Sequence, residues 1–92
     1  MTDFKNLLVI AERDVRTLEE KGKAYGDSWK RRGGTGAFMM LARKWDRLEN
    51  QAEAHSFDVF AAIRDDPDGV LDDIRDLRCY LLLVEEEMSR IK

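Results

Sequence analysis

Val70-Leu71-Asp72-Asp73-Ile74-Arg75-Asp76-Leu77-Arg78-Cys79-Tyr80-Leu81-Leu82-Leu83-Val84 is the stretch on which the fold turns. Val70, Ile74, Leu77, Leu81 and Val84, continued by Met88 and Ile91, alternate spacings of four and three, the period of one helical face. The pattern predicts a helix from about Gly69 to Arg90. Tyr80 and Leu83 fall on the side away from Leu81 and Leu82, at about 100° per residue. A helix apolar nearly all round in its C-terminal half is buried on more than one side. It is therefore either the central helix of a bundle or one that pairs with another subunit, and the second is the expectation carried forward.

The start of this helix is crowded with aspartates. Asp72 and Asp76 are like charges one turn apart, a repulsion of about 0.2–0.5 kcal/mol on an exposed helix, and Asp73 adds a third charge. Carboxylates in a first turn favour the macrodipole, Asp68 can cap the helix and Arg75 can pair with Asp72. That reading leaves Asp76 unexplained, because it lies in the second turn beside a wholly apolar run. A hard cation such as Mg²⁺ would relieve the repulsion, since it binds clustered carboxylate oxygens.

Upstream, Phe4, Leu8, Ala11, Val15 and Leu18 form another four-three seam, predicting a helix from an N-cap at Thr2 or Asp3 to about Lys23. Tyr25 to Gly36 reads as a loop with room for one short turn. A second long helix is expected from about Thr35 to Ala54, with Phe38, Leu41, Ala42, Trp45, Leu48 and Ala52 on one face. A shorter helix, capped by Ser56 and carrying Phe57, Phe60 and Ile63, precedes the turn Asp65-Asp66-Pro67-Asp68-Gly69. The expected fold is all-α: a small bundle of three long helices plus one or two short ones.

Ninety-two residues make one domain, 1–92, because so short a chain cannot fill two cores. Even one core buries only about 60% of the unfolded surface, so docking against a second copy is expected. A single proline agrees with helix. The net charge of −3 gives no broad attraction to duplex nucleic acid. The lone cysteine, Cys79, sits in an apolar run and reads as a buried small hydrophobe. No leader is evident at Met1-Thr2-Asp3-Phe4 and no apolar stretch reaches membrane-spanning length, so the expected compartment is the cytoplasm of a bacterium or of a phage-infected host cell.

Two further groups carry chemistry. On the middle helix Lys44 and Arg47 lie on one flank of the Trp45 seam, with Asp46, Glu49 and Glu53 on the other. Glu49 projects about 50° from the seam, toward the interior, and needs a partner there: a neighbouring arginine, or a metal shared with the aspartates. In the loop, Tyr25 and Trp29 offer flat faces for a base, Ser28 and the glycine amides can donate to phosphate, and Lys30-Arg31-Arg32 supplies positive charge. No phosphate-loop lysine motif, nucleophilic triad or zinc spacing is present. His55 stands alone, as a surface residue.

Taken in order, Tyr25-Gly26-Asp27-Ser28-Trp29, Gly36-Ala37-Phe38, Lys44-Trp45-Asp46-Arg47-Leu48, Asp72-Asp73-Ile74-Arg75-Asp76-Leu77 and Tyr80 resemble the phage and bacterial nucleotide-modification-associated domain. That group is similar in helical plan to the MazG-like all-α nucleoside triphosphate pyrophosphohydrolases. The resemblance covers roughly residues 21–85. It implies an oligomeric, helical nucleotide-binding protein, and in the MazG-like enzymes Mg²⁺ held by helix carboxylates in cleavage of the α–β phosphate bond. Asp73-Ile74-Arg75-Asp76 matches the second half of that family's metal motif with aspartate for glutamate. Asp46-Arg47-Leu48-Glu49 is the best match to the first, and Ala24 stands where relatives often carry aspartate.

The expectation is a Mg²⁺-dependent nucleotide-binding protein, in its enzymatic form a nucleoside triphosphate pyrophosphohydrolase. Glu49, Asp72, Asp73 and Asp76 would hold the metal. Lys44, Arg47 and Ser28 would bind phosphate, Tyr25 and Trp29 the base, and no catalytic residue is assigned. The alternative is a non-enzymatic helical module, a phage regulator or defence-evasion factor, that binds a nucleotide or a protein partner.

Overall fold

The computed structural model describes residues 1–91, the side chain of Tyr25 excepted. It is all-α: α1 (Phe4–Tyr25), a 3₁₀ turn (Ser28–Lys30), α2 (Gly33–Glu53), α3 (Val59–Asp65) and α4 (Gly69–Ile91). Each boundary has a local cause. Asp3 caps α1 by accepting from the Asn6 N–H, and Gly26, at φ +58, ends it with its own N–H on the Gly22 carbonyl. Gly33, at φ +76, turns the chain from the 3₁₀ turn into α2 two residues before the expected start.

Ser56 is not the cap of α3. It follows α2 with φ 56, as Phe57 does with φ 64, and the Phe57 N–H closes back on the Ala52 carbonyl at 2.8 Å. Those left-handed residues satisfy the end of α2, so capping passes to Asp58, whose carboxylate accepts from the Phe60 and Ala61 amides. At the start of α4 the carboxylate that meets the Gly69 N–H belongs to Asp66.

The helix that the opening stretch predicted is the hub: α1, α2 and α3 all pack on α4. The interface is made of small side chains. Ala37 and Ala52 of α2, Ala62 of α3, and Val70 and Cys79 of α4 are the buried apolar residues. Small residues let helices approach closely and turn the bulky ones outward. Phe38 and Trp45, placed on the inner face by periodicity, are exposed, and the inner line of α2 instead runs through Ala37, Leu41, Lys44, Leu48 and Ala52. That line lies about 60° round the helix from Trp45, and the rotation carries Lys44 inward.

The α1 seam does not face the bundle either. Phe4, Leu8 and Val15 are exposed, and α1 presents Asp14, Leu18 and Lys21 to α4. Among the described residues no helix is long and apolar enough to cross a membrane.

Candidate functional site

The aspartates of α4 fan out rather than converge. Asp72 is exposed and faces Arg75 of its own helix at 3.8 Å. Asp73 is 3% exposed and faces Arg47 of α2 at 3.5 Å. Asp76 lies between two lysines, with Lys21 of α1 at 3.7 Å from one oxygen and Lys44 of α2 at 3.6 Å from the other. Asp76, the residue that helix-start electrostatics left unexplained, thus joins three helices.

Glu49 is turned to solvent, where it accepts from the Trp45 indole N–H at 3.1 Å. The rotation of α2 that brings Lys44 in takes Glu49 out, so the interior partner expected of it is not required. Lys44 and Arg47 also part company. Lys44 goes to Asp76, and Arg47 goes to an open cavity of about 330 Å³ that it lines with Asn50, Gln51 and Asp73. Among the described residues no three His, Cys, Asp or Glu side chains come together as a metal group. Each of the four carboxylates faces a cation or an indole N–H of its own.

What does converge is a cavity of about 470 Å³ between the end of α1, the 3₁₀ turn and α4. Its walls include Trp29 and Ser28 from the turn, Lys21 and Leu18 from α1, and Asp76 and Tyr80 from α4. The Lys44 ammonium sits 5.5 Å from the centre of the Tyr80 ring, within cation–π range. Trp29 and Ser28 of the sequence-predicted set therefore lie in the wall, Lys44 stands beside it, and the Tyr25 side chain lies outside the described residues. Of the basic run in the loop, Lys30 is engaged: it meets Glu87 of α4 at 2.5 Å and Asp27 at 3.9 Å. Arg31 and Arg32 are exposed.

Sequence reasoning missed Lys21, Asp14 and Arg78. Asp14 is buried on α1 and takes a two-pronged contact from Arg78, whose Nη2 donates at 3.0 Å while Nε donates to the other oxygen. That pair raises the Arg78 pKa, fixing its charge. The signal was present in Arg78, an arginine set between Leu77 and the apolar run from Cys79 to Val84. Cys79 is buried beside this pair, in the wall of the same cavity, and burial pushes its thiol pKa up. His55 bridges the ends of α2 and α3 through Nδ1 and Asp65 at 3.1 Å.

No family model matches the chain, and neither a curated protein nor a solved structure is significantly similar to it.

Proposed function

We propose that this chain is a nucleotide-binding protein whose ligand lies in the cavity between α1, the 3₁₀ turn and α4. One observation carries the reading: two lysines, Lys21 and Lys44, share a single carboxylate, Asp76, at a wall that also holds Trp29 and Tyr80. Around Asp76 the two ammonium groups, Lys21 in the wall and Lys44 behind it, leave a unit of positive charge beside flat aromatic faces, while Asp27, also in the wall, lies 3.9 Å from Lys30. That combination suits a ligand with an aromatic base at one end and phosphate at the other. The volume is also in the range of small-molecule sites, about 300–1,000 Å³.

Binding is better supported than hydrolysis. The carboxylates that a pyrophosphohydrolase would use for Mg²⁺, Asp72, Asp73, Asp76 and Glu49, are each committed to another group. The reading is therefore the non-enzymatic form, a binding module that holds a nucleotide without turning it over.

The discriminating experiment titrates a panel of nucleoside mono-, di- and triphosphates against the wild type, Lys44→Ala and Asp76→Asn, with Mg²⁺ or with EDTA. Melting temperature and pyrophosphate release are both read. Wild-type binding is expected in EDTA, and Lys44→Ala should weaken it about tenfold, the loss of one charge-assisted contact of about 1.5 kcal/mol. Asp76→Asn should leave binding intact or tighten it, because it frees both lysines for phosphate. Pyrophosphate release that needs Mg²⁺ and disappears in Asp76→Asn would establish the hydrolase instead. No melting shift with any nucleotide would end both readings.

A further inference from the structure

The chain exposes 7372 Å² of surface. A compact monomer of its mass, 10.7 kDa, exposes about 5,500 Å² by the scaling of surface with mass, so about 1,900 Å² is surplus. Its radius of gyration, 14.6 Å, likewise exceeds the roughly 12 Å of a compact domain of this length. A standard protein–protein interface takes about 800 Å² from each partner, and obligate homodimers take more. The surplus is therefore the size of an obligate interface.

The interior makes the same point. Among the described residues no large side chain is fully buried, while Phe4, Leu8, Phe38, Phe60, Leu81 and Met88 stand exposed. A chain whose bulky apolar groups lie outside needs cover whenever it is folded. An occasional partner cannot provide that, whereas a second copy is always present.

We propose that a second copy of this chain docks along the outward seam of α1 formed by Phe4, Leu8, Ala11 and Val15. Phe4 is 73%, Leu8 65% and Val15 49% exposed, and the four-three-four spacing is that of knobs in a helix–helix seam. Charge selects the direction. Lys5 and Glu19 lie on the same flank of the seam near opposite ends, so antiparallel pairing sets Lys5 of each copy toward Glu19 of the other. Glu12, at the middle of that flank, is accompanied by Arg16 of its own helix at 3.9 Å.

Light scattering of the wild-type protein at high micromolar concentration, without nucleotide, is the first measurement. A mass of twice 10.7 kDa or a higher multiple is expected, and a monomer overturns the proposal whatever the fate of the nucleotide reading. Leu8→Asp should lower the mass by at least half, whereas Val9→Asp, on the helix but off the seam, should leave it unchanged. An oligomer whose mass Leu8→Asp does not alter overturns the assignment to α1. Should Leu8→Asp fail to fold, Ala11→Cys decides. At the middle of an antiparallel seam it oxidises to a covalent dimer on a non-reducing gel that the wild type, with Cys79 buried, does not form; absence of that dimer is likewise negative.

Discussion

Asp14→Asn removes the charge that ties α1 to α4 while keeping the size and nearly the helix propensity of the residue. Asp14 has a side chain 4% exposed, and Arg78, which grips both of its oxygens, is 35% exposed. Removing one member of a fully buried pair costs about 3–5 kcal/mol, chiefly by stranding the other charge. Arg78 can still turn its guanidinium to water, so the expected loss is smaller, about 2 kcal/mol. In a chain of this size that lowers the melting temperature by about 8–16 °C. The assay is thermal and urea unfolding followed by circular dichroism, with all variants at one protein concentration because self-association would shift the midpoint. Arg78→Met and the double variant complete a cycle, and their coupling should exceed about 1 kcal/mol. The double variant should lie closer to wild type than the sum of the singles, since it leaves no unpaired charge. A loss below about 0.5 kcal/mol for Asp14→Asn, or coupling near zero, would show that α1 is held by its apolar contacts and refute the reasoning.

Two other perturbations probe the loop and the turn. Hydrogen bonding from Lys30, aided by the charge of Arg90, holds the Glu87 carboxyl below its ordinary value of 4.5. A depressed folded-state pKa means that the pair's stability is complete above 4.5 and is lost as pH falls through the lower folded value. The melting temperature of wild type should exceed that of Glu87→Gln by a constant margin well above pH 4.5, and the margin should shrink as pH falls below 4.5; a margin independent of pH would count against the pair. Ser56 adopts φ 56, where a Cβ is unfavourable and glycine is at ease. Ser56→Gly should therefore raise stability by up to about 1 kcal/mol in urea unfolding, and a loss would mean that the serine side chain holds the turn.

The helices were legible because their signals are local. The seam from Val70 to Ile91 places α4 within a residue of its observed end, and Asp3 caps α1 as the sequence suggests. The boundary at Ser56 was misread for a reason equally local: Ser56 and Asp58 are both good caps, and the choice fell to whichever residues closed the end of α2. The site was less legible. Asp72, Asp73 and Asp76 are neighbours in sequence, but helical geometry points them at four different cations, three of which come from other helices. Lys21 offered no signal of its own, since a lysine near a helix end is usually solvated.

The sequence by itself determined an all-α chain and the order and approximate bounds of its helices. Periodicity and capping act within a turn or two, so no tertiary information is needed to read them. Only the tertiary structure decided which face of each helix is buried. Burial of Ala37 and Ala52 on α2 goes with Trp45 and Glu49 turned outward and Lys44 inward, and α1 faces α4 with Asp14 and Lys21 while its apolar seam is exposed. Periodicity finds an apolar stripe but does not say what the stripe meets. In this chain the fully buried apolar positions go to small residues, Leu41, Leu48, Ile74 and Leu77 are half-buried, and Phe4, Phe38 and Phe60 are left on the surface.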